Sequence, residues 1–196
     1  MRRIVMTQVA GLACLMSLAA CSADDEPQSP QSAPATSAAT SQTPTEAVPA
    51  YLQDLSVEER TAYDEAVEDY EEFSRELAAI NEAGRATPEA KQFFETRTAA
   101  WQSYWARLTT NEERGIQIVG MGTTLRTRPA GIRLDRAGGG EVGLRVCGVS
   151  EGVEVLQEGE PLPQPKPTPT IVRVELVKHP DESHWRVLSE RVGKQC

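Results

Sequence analysis

From residue 57 to 110 the apolar positions recur every three or four residues, and from 116 onward they recur every second residue. The first period belongs to amphipathic helices and the second to half-buried strands. Tyr63, Val67, Tyr70, Phe73, Leu77 and Ile80 share one face of a first predicted helix. Ser56 and Glu59 have the spacing of a capping box at its start, and Gly84 supplies a stop. Glu58, Glu65, Glu68, Asp69, Glu72 and Glu76 fall on the opposite side and read as a solvated face, with a binding surface for cations or a basic partner as the alternative. A second helix begins at Thr87-Pro88, a cap followed by proline in the first turn, and runs without interruption to Asn111–Gly115. Phe94, Trp101, Trp105 and Leu108 mark one side of it, with Phe93, Ala100 and Tyr104 beside them. So broad an arc predicts a helix covered on more than one side. Core packing is the expected role of Trp101, Tyr104 and Trp105, and the lining of a cavity is the alternative.

The period-two region predicts strands at 116–127, 130–135, 141–149, 152–157, 170–178 and 184–190. Val142, Leu144 and Val146 alternate with Glu141, Gly143 and Arg145, and Val172, Val174 and Leu176 alternate with Arg173 and Glu175. Gly138-Gly139-Gly140 and Ser150-Glu151-Gly152 supply turns between neighbours. Prolines at 161, 163, 165, 167 and 169 occupy every second position. A polyproline ligand presents a face that repeats every third residue, so this segment reads as a stiff exposed hairpin loop. Helices first and antiparallel strands afterwards define an α+β domain over residues 50–196.

The chain of 196 residues is not expected to fold throughout. Residues 1–20 have the layout of a secretory signal: Arg2 and Arg3, an apolar stretch from Ile4, and small residues at its end. The segment closes on Leu18-Ala19-Ala20-Cys21, which resembles the lipobox of bacterial prolipoproteins. That resemblance implies cleavage between Ala20 and Cys21 and a lipid on the Cys21 thiol. One acyl chain gives only marginal attachment, whereas two or three anchor a protein to a membrane without a spanning helix. Residues 21–49 follow, rich in Ser, Thr, Ala and Pro, and too polar to bury a core. They read as a disordered tether. The organisation expected is anchor, tether and domain, on the outer face of a cell membrane.

Cleavage removes two arginines and no acid, which takes the formal net charge from −9 to −11. An acidic domain is repelled by nucleic acid and by anionic headgroups, so nucleic-acid binding is disfavoured. The cysteines narrow in the same way. Cys14 leaves with the signal and Cys21 is alkylated, so Cys147 and Cys196 remain as a natural disulfide in an exported protein.

Three features together resemble secreted actinobacterial lipoproteins with a nuclear-transport-factor-2-like, cone-shaped domain. They are the cysteine ending a strand (Arg145-Val146-Cys147), the final hairpin (Ile171 to Leu176, then Trp185-Arg186-Val187), and the closing Gly193-Lys194-Gln195-Cys196. The resemblance covers residues 52–196. It implies a curved antiparallel sheet wrapped on helices with a cavity between them. Enzymes of that superfamily place Asp, His or Tyr in the cavity, while other members only bind. Relatives often carry an acidic residue after the strand cysteine, whereas this chain has Gly148-Val149-Ser150.

A catalytic constellation is not found in the sequence. His179 and His184 both fall in the segment from Lys178 to His184, which reads as a solvated turn rather than a metal site. Gly120-Met121-Gly122 lacks a phosphate-loop lysine, so no cofactor is expected. Asp135 and Tyr104 are the polar candidates for a cavity. The expected function is a non-catalytic binding domain for an envelope protein or a small apolar ligand. An isomerase- or cyclase-type enzyme in the same cone is the alternative.

Overall fold

The computed structural model describes residues 49–196 of the chain. The expected signal segment, Ala20, Cys21 and nearly all of the tether lie outside the described residues. A short 3-10 turn, Ala50–Leu52, precedes helices α1 (Val57–Ala83), α2 (Pro88–Arg97) and α3 (Trp101–Glu113). Strands follow: β1 (Ile116–Val119), β2 (Thr123–Leu134), β3 (Gly140–Val149), β4 (Glu154–Gln157), β5 (Glu160–Pro161), β6 (Thr170–Lys178) and β7 (Arg186–Gln195). The fold is α+β.

Helix α1 has 27 residues, about 40 Å of length. Its start is the capping box read from the sequence: Ser56 accepts from the Glu59 amide and Glu59 accepts from the Ser56 amide. Its end is Gly84 in the left-handed conformation at φ 61°. The buried face carries Ala62, Tyr63, Ala66 and Phe73, which pack on Val142, Leu144, Val146, Val174, Leu176 and Val187 of the sheet.

One expectation fails in the helices. The predicted second helix is two helices, α2 and α3, broken at Thr98–Ala100. Thr98 makes an isolated parallel bridge to Val187 in β7, and its hydroxyl donates to the Val187 carbonyl at 2.8 Å. The Ala99 amide donates to the same carbonyl at 2.9 Å, and the Ala100 amide donates to the Thr98 hydroxyl at 3.1 Å. These bonds take the place of the helical ladder, and β-branched Thr98 (0 % exposed) fits the extended backbone there.

The strands form two antiparallel sheets rather than one, a three-stranded sheet β1-β4-β5 and a four-stranded sheet β2-β3-β6-β7. The strand expected at 116–127 is cut by Gly120-Met121-Gly122, where the chain passes from one sheet to the other. Gly120 has φ 84°, and a Cβ on it would stand 2.4 Å from the Gly152 carbonyl. This glycine pair exists for a close backbone crossing and not for a phosphate. The break expected between 127 and 130 is instead a bulge inside continuous β2, and β7 runs five residues beyond the expected end at 190.

The register of the larger sheet slips at four places, at Leu125 and Ala130 in β2 and at Leu188 and the 193–194 step in β7. Each slip adds a residue that bends its strand. Strands β3 and β6 between them pair without a break from Gly140↔Lys178 to Gly148↔Thr170.

Candidate functional site

Cys147 and Cys196 form a disulfide with their Cα atoms 6.0 Å apart, as the cysteine count predicts. It pins the end of β7 to β3 through a loop of 49 residues. Residues 162–169 form an exposed loop, as expected, but not a hairpin: Pro161 belongs to β5, and the loop carries the chain from the three-stranded sheet to β6 of the four-stranded one.

The inner face of the sheet and α1 diverge to leave a cleft of about 770 Å³. Val67, Tyr70 and Ser74 of α1 form one wall. Thr127 of β2, Val146 and Gly148 of β3, and Thr170 and Val172 of β6 form the other. Val192 of β7 and Met121 close its rim, and these two are 79 % and 53 % exposed. The lining is mostly valine and threonine, with Tyr70, Met121, two serines and two glycines, and a single ion of each sign, Glu71 and Arg75. Such a surface offers apolar contact with a scatter of hydroxyls, the usual make-up of a small-ligand cleft.

Trp101, Tyr104 and Trp105 do not line this cleft. They pack on Ala90, Phe94 and Leu108, a second apolar cluster between α2 and α3. Tyr104 stacks on Phe94 at 5.5 Å and meets Phe73 edge-on at 5.6 Å, which joins the two clusters. Core packing is their role, and the cavity alternative is corrected.

Asp135 does not reach the cleft either. Its Oδ1 accepts from the amides of Ala137 and Gly139, both at 2.9 Å, and so closes the β2–β3 turn. His179 is exposed, and its amide donates to Glu182. His184 is exposed in the same turn, as expected, and its Nδ1 stands 3.2 Å from Asp69. No group of His, Cys, Asp and Glu suited to a metal ion occurs among the described residues.

A polar cluster that the sequence did not indicate stands beside the cleft. Glu190 lies on the inner face of β7, opposite Val174. Its two oxygens accept from two tyrosine hydroxyls, Tyr70 at 2.8 Å and Tyr104 through a short bond. Burial first and the Glu190 charge second push both hydroxyls above the ordinary tyrosine value. Glu190 is exposed, and its hydrogen bonds hold α1, α3 and β7 together. Its carboxylate is thus committed to structure, and both tyrosines donate to it instead of presenting a hydroxyl to the cleft. The sequence signal was weak, because Glu190 follows the Leu188 bulge and simple alternation from Val187 would not place it inward.

No family model and no curated protein matches the chain. Among solved structures it is similar to the intermembrane-space region of the chloroplast protein ARC6, at 11 % identity and a TM-score of 0.44. That alignment covers 70 % of this chain and 97 % of the other.

Proposed function

We propose that this chain is an extracytoplasmic lipoprotein, anchored through Cys21, whose domain has the nuclear-transport-factor-2-like cone and binds a small apolar ligand without catalysis. The observation that carries the binding reading is the 770 Å³ cleft between α1 and the sheet, lined by valines and threonines. Glu71 of the lining is exposed to solvent, and Glu190 beside the cleft already holds two hydroxyls. The disulfide supports an oxidising compartment. Among the described residues, no helix is long and apolar enough to cross a membrane.

The test of binding uses the neutral apolar fluorophore N-phenyl-1-naphthylamine. The full chain should bind it saturably. Val172→Trp, which fills the cleft from β6, should abolish that binding while the circular dichroism spectrum is kept. Equal binding by the variant would remove the cleft from the reading. For the anchor, Cys21→Ser should lose palmitate labelling and leave the membrane fraction. Retention of both would refute lipidation at Cys21.

A further inference from the structure

The helices cover the inner face of the four-stranded sheet only, and on the outer face the register aligns four arginines. Arg128 of β2 pairs with Arg145 of β3, Arg145 with Arg173 of β6, and Arg173 with Arg191 of β7. Directly paired residues of antiparallel strands project from the same face about 5 Å apart, and like charges in that relation repel. All four are exposed. Arg128 lies over the Tyr51 ring, and among the described residues no ion pair or hydrogen bond joins any of the four to a carboxylate. Arg126 adds a fifth cation beside Arg128, paired in register with Cys147. In a chain of net charge −9 this is a concentrated positive stripe about 15 Å long, flanked on the same face by Glu175 two residues along β6.

A groove of about 740 Å³ runs beside the stripe. Part of its floor is the facing pair Gly131↔Gly143, bare backbone that lets a chain approach closely. Arg145 and Arg173 line it with two carboxylates: Glu141 is paired with Arg133, and Glu175 accepts from the Ser189 hydroxyl at 2.8 Å and keeps its charge. Leu188 lies at its β7 end.

We propose that this outer face binds a linear phosphate-bearing polymer, laid across the strands along the arginine row. The guanidinium fork matches phosphate oxygens two at a time. The spacing decides between polyanions. An extended acidic peptide presents same-face carboxylates nearly 7 Å apart, about two strand rises, which falls out of step with a stripe of strand-spaced cations. An acidic helix, about 10 Å across, is too wide for a floor two glycines broad. A thin polymer with closely spaced charges fits both. Strands β2, β3, β6 and β7 carry no aromatic side chain, and the Tyr51 ring at the end of the row is covered by Arg128, which disfavours a nucleic acid. The inference is independent of the cleft, which lies on the opposite face of the sheet.

The experiment measures binding of long-chain inorganic polyphosphate to the full chain over a range of salt. Affinity should fall with a log–log slope of about 3, as four neutralised phosphates require. Arg145→Ala with Arg173→Ala should weaken binding about tenfold or more and roughly halve that slope. Arg85→Ala with Arg136→Ala removes the same charge from exposed loops and should change affinity by less than about twofold. Gly131→Leu, whose added side chain enters open space, should also weaken binding without altering the melting temperature. Absence of binding, or equal losses in the two double variants, would overturn the proposal. So would binding of poly-glutamate, single-stranded DNA or phosphatidylglycerol vesicles that equals polyphosphate and responds equally to the ladder variants.

Discussion

The backbone amide of Trp185 donates to Oδ2 of Asp69 at 2.9 Å, across 116 residues of sequence. The other oxygen of Asp69 meets Arg97 at 3.3 Å and His184 at 3.2 Å. One carboxylate in the middle of α1 therefore ties α2 and the β6–β7 turn to the same point. Arg97 is 9 % exposed and also holds Glu72 at 2.9 Å. A buried cation of this kind is costly to strand.

Asp69→Ala is expected to destabilise the domain by about 2–4 kcal/mol, since it leaves Arg97 short of a partner and a buried amide unpaired. Urea unfolding measures it. A double-mutant cycle with Arg97→Met should show coupling, and strict additivity would mean that the pair carries no joint role.

Glu65 extends this anchorage by accepting from Lys178 at 3.0 Å and from the Trp185 indole at 3.3 Å. The Lys178 hydrogen bond, assisted by that of Trp185, holds the Glu65 carboxyl below its usual range. A depressed carboxyl stabilises the fold above its unfolded value and loses that contribution as pH falls through the folded one. Glu65→Gln should thus narrow the gap between melting temperatures at neutral and acid pH. An unchanged gap would assign the acid sensitivity elsewhere.

Reducing the disulfide, or replacing Cys147 and Cys196 with serine, should lower stability by about 4 kcal/mol on the chain-entropy account for a loop of 49 residues. Intact protein should show no free thiol at these positions and gain two hydrogens on reduction. A free thiol on either would contradict the pairing.

Alkaline titration separates the tyrosines. Tyr63 donates to the Thr127 carbonyl, and burial, then the neighbouring Tyr51 and Asp64, push its hydroxyl up to about 12. Tyr70 and Tyr104 are raised as well. A raised value in the fold contributes stability below the unfolded pKa and loses it as pH climbs toward the folded one. Tyrosinate absorbance should accordingly lag the ordinary titration near 10 and appear together with unfolding. In Glu190→Gln the lag of Tyr70 and Tyr104 should shrink.

Thr98→Val keeps the shape but removes the hydroxyl that serves the Ala100 amide and the Val187 carbonyl. The carbonyl keeps the Ala99 amide, so the cost should be about 1–2 kcal/mol, read from the shift in urea midpoint. A shift near zero would mean that the helix break is held by packing alone.

These positions also show how far residue patterns carry. The caps of α1 were legible because Ser56, Glu59 and Gly84 act within one turn of themselves. The disulfide was legible because two thiols had no other expected fate. The break at Thr98 was not, since its cause is a strand almost ninety residues away and the apolar period runs through it undisturbed. The acidic side of α1 misled in the same manner. Glu65, Asp69 and Glu72 look like a solvated row, but later segments return to bind them. The cleft walls come from α1, β2, β3, β6 and β7 at once, and the arginine stripe depends on a register that four bulges set. Neither has a local signature.

The placement of those bulges bears on how the domain behaves among its own copies. All four fall on β2 and β7, the two strands whose outer backbone groups have no partner within the sheet. Such a border is a template on which another chain could add by hydrogen bonding. Here β2 is kinked twice and carries Pro129 with Arg126, Arg128 and Arg133, while β7 is kinked twice and carries Glu190, Arg191 and Lys194. Regular pairing is confined to the interior of the sheet, and its borders are shaped against accretion. Neither border offers a second copy a long regular segment to extend.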